Sequence, residues 1–252
     1  MSPARTGVLR RIVYGAALLT LSAASAWAQE HQLPTQAAEA VNYIKTGLFV
    51  VSGDGANTVV RLSGNGMILV DGKLDGHYRE LDRRAHSFFH DMPVRLLVLT
   101  GPDETRTGTN ADFLQAGIPV LAQEQTKEIL ARHADGQRAL PSFTFDEERT
   151  IKLGGVTVQL RHFGAARTNG DAVAYFPDLK VIAVGDLYTS TLPEPDESAG
   201  GSLEGWRAAL REILQLDFDT VVPGTGPAVK RADLEALADR IDKLATDGRS
   251  GT

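Results

Sequence analysis

The apolar run from Val94 to Thr100 stops abruptly at Gly101-Pro102-Asp103-Glu104-Thr105-Arg106-Thr107-Gly108-Thr109-Asn110. Rich in Val and Leu and bounded by Pro93 and Gly101, the run reads as a buried strand. Such strands sit in sheets covered by helices, which points the chain towards an α/β architecture. Their C-terminal ends are also where open α/β sheets place their sites. The loop that follows, with Asp103, Glu104 and Arg106 among Gly and Thr, is therefore the first candidate for a site.

The rest of the chain alternates in the same way. Leu48–Val51, Thr58–Leu62 and Met67–Val70 are short apolar segments split by Gly-rich turns, as strands are. A helix capped by Asp75 is expected, with the stripe Tyr78, Leu81, Ala85, Phe88 and Met92 on one face and Pro93 at its end. Helices follow near Asn110–Ala116 and Glu124–Ala134, around a strand at Ile118–Ala122. Two hairpins turn at Gly154-Gly155 and Pro177-Asp178-Leu179. The last two helices, from Ser202 and from Lys230, carry Trp206, Leu210, Ile213 and Leu214, then Leu234, Leu237, Ile241 and Leu244. The longest segment without periodicity, Tyr188 to Gly201, directly follows Asp186. A loop of that length in a compact domain is commonly functional, so it is expected to overhang the site, with Tyr188 at its root.

Five short segments share one further pattern. The loop Thr100 to Asn110 resembles T-H-x-H-x-D-H-x-G-G-N of the metallo-β-lactamase superfamily, with Gly101, Asp103, Thr105 and Arg106 standing where the family has His, His, Asp and His. His162 to Asp171 is similar to G-x-A-H-T-x-G-D, with Arg167 at the ligand histidine. Val184-Gly185-Asp186-Leu187 matches the G-D element, which places Asp186 at the metal-bridging aspartate. Val222-Pro223-Gly224-Thr225-Gly226-Pro227 resembles P-G-H-G-P, with Thr225 at the last histidine. Gly55-Ala56-Asn57 and Ile68-Leu69-Val70-Asp71-Gly72 resemble the opening hairpin. The resemblance implies a four-layer αββα sandwich of two mixed sheets with helices outside.

It also implies a site from which the zinc ligands have gone. A catalytic zinc takes three protein ligands and polarises a bound water. Gly101, Thr105 and Thr225 offer no strong donor, and guanidinium groups at 106 and 167 cannot ligate a cation. No metal, no other cofactor and no catalytic residue are expected. Instead, Asp103, Arg106, Arg167 and Asp186 are expected to converge, with arginine supplying the positive charge that the aspartates meet in zinc. The implied protein is a pseudoenzyme that binds a small anionic ligand or an envelope partner protein through the groove. The alternative is a hydrolase with a metal-free or carboxylate-only centre, in which Asp103, Glu104 or Asp186 moves the proton. The histidines suggest no replacement site: His86 and His90 are four apart but face away from the stripe, His31, His77 and His133 lie at segment ends, and His162 ends a strand.

Composition bears on location. Arg5, Arg10 and Arg11 precede an apolar run and Ala26-Trp27-Ala28, the form of a secretory signal peptide, and the run is too short for a membrane span. Residues 1–28 are thus read as a leader and 29–252 as a single domain, periplasmic or secreted, with no stable span after cleavage. Losing three arginines takes the net charge from −6 to −9, which argues against nucleic acid as a partner. With no cysteine there are no disulfides and no thiolate metal sites. Intact-mass measurement on exported protein is expected to give Gln29 as the first residue. A soluble form that keeps Met1 would contradict the leader.

Overall fold

The computed structural model describes residues 40–249 except 88, 133–138 and 192. The leader and its cleavage point, His31, Phe88 and His133 lie outside the described residues. The first sheet has seven strands in sequence order: β1 (Ala40–Lys45), β2 (Leu48–Ser52), β3 (Thr58–Ser63), β4 (Gly66–Val70), β5 (Val94–Val98), β6 (Val120–Gln123) and β7 (Phe143–Phe145). Pairing is antiparallel from β1 to β4 and parallel from β4 to β7. The second sheet has six, β8 (Glu148–Leu153), β9 (Val156–Arg161), β10 (Val173–Phe176), β11 (Val181–Gly185), β12 (Thr220–Pro223) and β13 (Val229–Lys230), ordered β13-β12-β11-β10-β9-β8. Only β11 and β12 run parallel there.

Period-two alternation explains why the central strands are apolar throughout. In β4, Ile68 and Val70 face the second sheet and pack with Val158, Leu160, Ala174, Phe176 and Ala183. Met67 and Leu69 face outward and pack with Leu81 and Ala85 of α1 (Tyr78–Ala85) and Phe113 of α3 (Asn110–Gln115). Between them in the chain stands the short α2 (Glu104–Thr107), and α4 (Glu124–Arg132) follows β6. The outer face of the second sheet is covered by α5 (Leu203–Ile213) and α6 (Arg231–Arg249), through Trp206, Leu210, Ile213, Leu234, Leu237 and Ile241. Helix, sheet, sheet and helix therefore stack as four layers, the αββα sandwich. Ser202 starts α5 by accepting a bond from the Gly205 N–H at 3.0 Å.

Several local expectations need correction. Helix α1 begins at Tyr78, and neither Asp75 nor His77 caps it with a side chain. It ends at Ala85, not near Met92. The Asp82 carbonyl accepts the His86 N–H at 3.0 Å and also meets His86 Nδ1, while the Arg84 carbonyl accepts the Ser87 N–H at 3.2 Å and the Ser87 hydroxyl, so the last turn tightens and stops. His86 and His90 therefore share no helix face. Strands β1 and β7 escape the apolar pattern because they are sheet edges with exposed positions such as Tyr43 and Phe143. Among the described residues no helix is long and apolar enough to cross a membrane.

Candidate functional site

Strand ends from both sheets meet at one edge of the sandwich. Asp71 follows β4, Thr100 follows β5 and Arg106 sits on α2, while Arg167 and Asp171 lie between β9 and β10. Asp186 follows β11 and Gly224 follows β12. Asn57 clamps this edge: its amide donates to the Pro223 carbonyl at 3.0 Å and the Gly226 carbonyl at 2.8 Å.

Arg106 occupies the centre, with a side chain only 1% exposed. Its Nη1 donates to Asp71 Oδ2 at 2.9 Å and to Thr100 Oγ1 at 2.8 Å. The Thr100 hydroxyl in turn donates to Asp71 Oδ2 at 2.6 Å, and its N–H to Asp71 Oδ1 at 2.7 Å. The Nη2 group is ion-paired with Asp186 Oδ2, off the line of a hydrogen bond, and Nε has no hydrogen-bond partner. Two glycines make the room. A Cβ at Gly185 would stand 2.8 Å from Nη1 and one at Gly224 3.2 Å from Nη2, whereas one at Gly101 would meet Nε at an ordinary 3.9 Å. Burial alone would ease the proton off Arg106, but Asp186, Asp71 and Asp103 outweigh it and hold the charge on.

Arg167 forms a second, more open layer. Its Nη1 lies 2.8 Å from Asp103 Oδ2 and 3.9 Å from Asp186 Oδ2, with about a quarter of the side chain exposed. Burial works against the Asp186 carboxylate, yet Arg106 and Arg167 prevail and keep it below the usual range. Burial and the neighbouring Asp186 push Asp103 up instead. Burial also pushes Asp71 up, against Arg106 and the Thr100 bonds. Asp171 anchors the Arg167 loop by accepting from the Thr168 N–H at 2.6 Å and the Thr168 hydroxyl at 2.8 Å. Full burial raises its carboxyl from the ordinary 3.8 to about 7.

Of the residues singled out in the sequence, Gly101, Asp103, Arg106, Arg167 and Asp186 come together. Thr105 contributes its carbonyl, which accepts the Ala56 N–H at 2.8 Å. Thr225 is exposed on a separate cavity of about 360 Å³, with Gly55 and Asn57 in its wall. Tyr188 is half-buried against the outer core of the second sheet. The part of its loop that reaches the site is Asp196–Ala199. Those residues share a cavity of about 340 Å³ with Asp103, Glu104, Arg132 and Thr168. The Asp196 N–H donates to the Arg167 carbonyl at 2.7 Å, which docks the loop on the site. Asp71, Thr100 and Asp171 are functional neighbours that sequence reasoning missed. All three stood inside segments that resemble the family, and Asp71 also closes an apolar strand, but none stood at a ligand position.

These residues do not fit a zinc ion. The position nearest the carboxylates holds a guanidinium whose charge opposes any metal cation. Among the described residues no group of three or more His, Cys, Asp or Glu is placed to hold a metal ion. Both arginines meet carboxylates here: Arg106 is sealed by Asp71 and Asp186, and Arg167 faces Asp103.

The sequence of residues 52–225 matches the family model of the metallo-beta-lactamase superfamily. The chain belongs to that superfamily. Over 195 residues it is 28% identical to 2,4-dinitroanisole O-demethylase subunit alpha of Nocardioides sp. (strain JS1661), covering 76% of this chain and 59% of that protein. It is 24% identical over 140 residues to the metallo-beta-lactamase type 2 of Elizabethkingia meningoseptica, 54% of this chain and 53% of that one. The chain thus spans a little over half the length of these curated relatives. Among solved structures, the metallo-beta-lactamase from Pontibacter korlensis superposes with a TM-score of 0.71 at 20% identity, over 81% of this chain and 99% of that one. The mono-zinc form of FIM-1 from Pseudomonas aeruginosa gives 0.71 at 19%, over 84% and 98%. At such identities the likeness establishes the fold alone.

Two outcomes follow for this superfamily member. Between pH 3.8 and about 7 the folded chain keeps an Asp171 proton that the unfolded chain releases, so this contribution is full below that window and is lost as pH rises through it. Urea midpoints taken from pH 4.5 to 7.5 are expected to fall less steeply in Asp171→Asn than in wild type, and equal slopes would count against a raised Asp171. Arg167→Ala, which removes a partly solvated pair, is expected to cost about 1 kcal/mol or less in the same titration.

Proposed function

We propose that the protein is an exported, periplasmic or secreted member of the superfamily that has lost zinc-dependent hydrolysis. The observation that carries this reading is the Arg106 guanidinium, buried between Asp71 and Asp186 where the family pattern would hold a metal. With a fixed cation there, no bound water is polarised and no scissile carbonyl meets a Lewis acid. The remaining role is binding, through the cavity of about 340 Å³ beside Asp103. Its wall carries Asp103, Glu104 and Asp196 against Arg132, so a ligand or envelope partner bearing positive charge is better served than the small anion suggested by the sequence.

A second reading has one observation in its favour. Asp103, in the wall of this cavity, is pushed up and the neighbouring Asp186 is held down, and carboxyls pushed apart in this way can divide acid and base roles. In that version the pair works without metal, with Arg167 stabilising developing negative charge. The kinship with an O-demethylase subunit makes an activated aryl ether a natural substrate to try beside esters.

Zinc analysis and turnover assays on the purified mature chain separate these readings. The leading one expects well under one equivalent of zinc after dialysis and no hydrolysis of β-lactams, thioesters or 2,4-dinitroanisole. Stoichiometric zinc with chelator-sensitive turnover would overturn it. Turnover indifferent to chelator and abolished in Asp103→Asn would establish the second reading.

A further inference from the structure

We infer that the Arg106 side chain is a built-in ligand: the permanent cation of a guanidinium site made by Asp71, Thr100 and Asp186. The inference deepens the zinc-free reading and rests on it. The site is constructed around a planar fork and not around a point charge. Asp71 and Thr100 meet Nη1 from the first sheet, and Asp186 meets Nη2 from the second. The carboxylates stand on opposite ends of the fork, and they form no cluster suited to a metal ion. Glycines at 185 and 224 leave the clearance for a flat group, since a Cβ at either would crowd Nη1 or Nη2. Thr100 completes the cradle by accepting from the guanidinium while donating to Asp71, so its single proton and one of its two lone pairs are committed.

Arg106 thereby joins both sheets by one side chain. Asp71, Thr100 and Arg106 belong to the first sheet and its connections, whereas Asp186 and Gly224 belong to the second. Removing the guanidinium leaves the buried Asp71 and the partly exposed Asp186 facing each other across an empty slot. That loss differs from an ordinary cavity in being recoverable by the missing ion itself, or by neutralising a carboxylate.

The test uses the full mature chain and thermal unfolding. Arg106→Ala is expected to lower Tm by about 10 °C, the scale for breaking a buried pair in a domain of this size. Millimolar methylguanidinium should recover part of that loss while leaving the wild type unchanged. Zinc or magnesium at the same concentration should recover much less. Adding Asp71→Asn to Arg106→Ala should also recover part of it. If Arg106→Ala does not fold, Arg106→Lys and the Arg106→Met, Asp71→Asn double variant carry the comparison. Lysine, which keeps charge but loses the fork, should be clearly less stable than wild type, and the double variant should be more stable than Arg106→Met alone. A Tm of Arg106→Ala equal to wild type would overturn the inference. So would a loss that neither methylguanidinium nor Asp71→Asn relieves, or an Arg106→Lys variant as stable as wild type. The zinc content of wild type is measured separately, so a metal-bearing wild type would refute the zinc-free reading independently of these variants.

Discussion

A single guanidinium group, held away from water between an aspartate of each half of the molecule, is the interaction on which this edge of the structure depends. Taking such charges out of water costs several kcal/mol per ion, and only close geometry offsets that. Arg106 has that geometry on Nη1, an ion pair on Nη2 and nothing on Nε. The net gain is therefore modest, while the cost of losing one partner is large. An interaction with that asymmetry acts less as a source of stability than as a device for holding loops in register.

The loops in question come from sheets whose cores are otherwise self-sufficient. The inter-sheet layer around Ile68, Val70, Phe176 and Ala183 is apolar, with Arg61 opposite Ile68 in the first sheet and ion-paired to Asp178 in the β10–β11 turn of the second. Helices on each outer face pack through their own clusters. The superfamily fold can therefore part with its zinc ligands without losing its core, because hydrophobic burial supplies most of the driving force. What the fold cannot do is leave the aspartates at the strand ends unpaired and buried. Arginine at position 106 answers that constraint from within the chain.

The outer layer obeys different physics. Arg167, Asp103 and Asp186 are each partly exposed, and Asp103 lines a cavity, so their attraction is screened and adjustable. The turn at Glu197–Ala199, capped by Asp196 and docked on the Arg167 carbonyl, closes this cavity from one side. The acidic wall follows from three carboxylates meeting one arginine, Arg132.

Much of this was legible in the sequence, for identifiable reasons. Continuous apolar strands, the stripes of α5 and α6 and the Gly-containing hairpins report period and turn chemistry, which are local properties, so the four layers followed from them and from the family pattern. Gly101, Arg106, Arg167 and Thr225 stand, one residue at a time, where the family pattern has its zinc ligands. Helix α1 ends early because its last turn tightens at His86 and Ser87 onto the Asp82 and Arg84 carbonyls, which no periodicity records. Nor did the sequence rank Arg106 and Arg167, two arginines at equivalent-looking positions. Only tertiary structure buries one between Asp71 and Asp186 and leaves the other at a cavity mouth, because burial is set by which strand ends meet. Asp71, 35 residues from Arg106, enters the site for the same reason: distance along the chain says nothing about distance across a sheet edge.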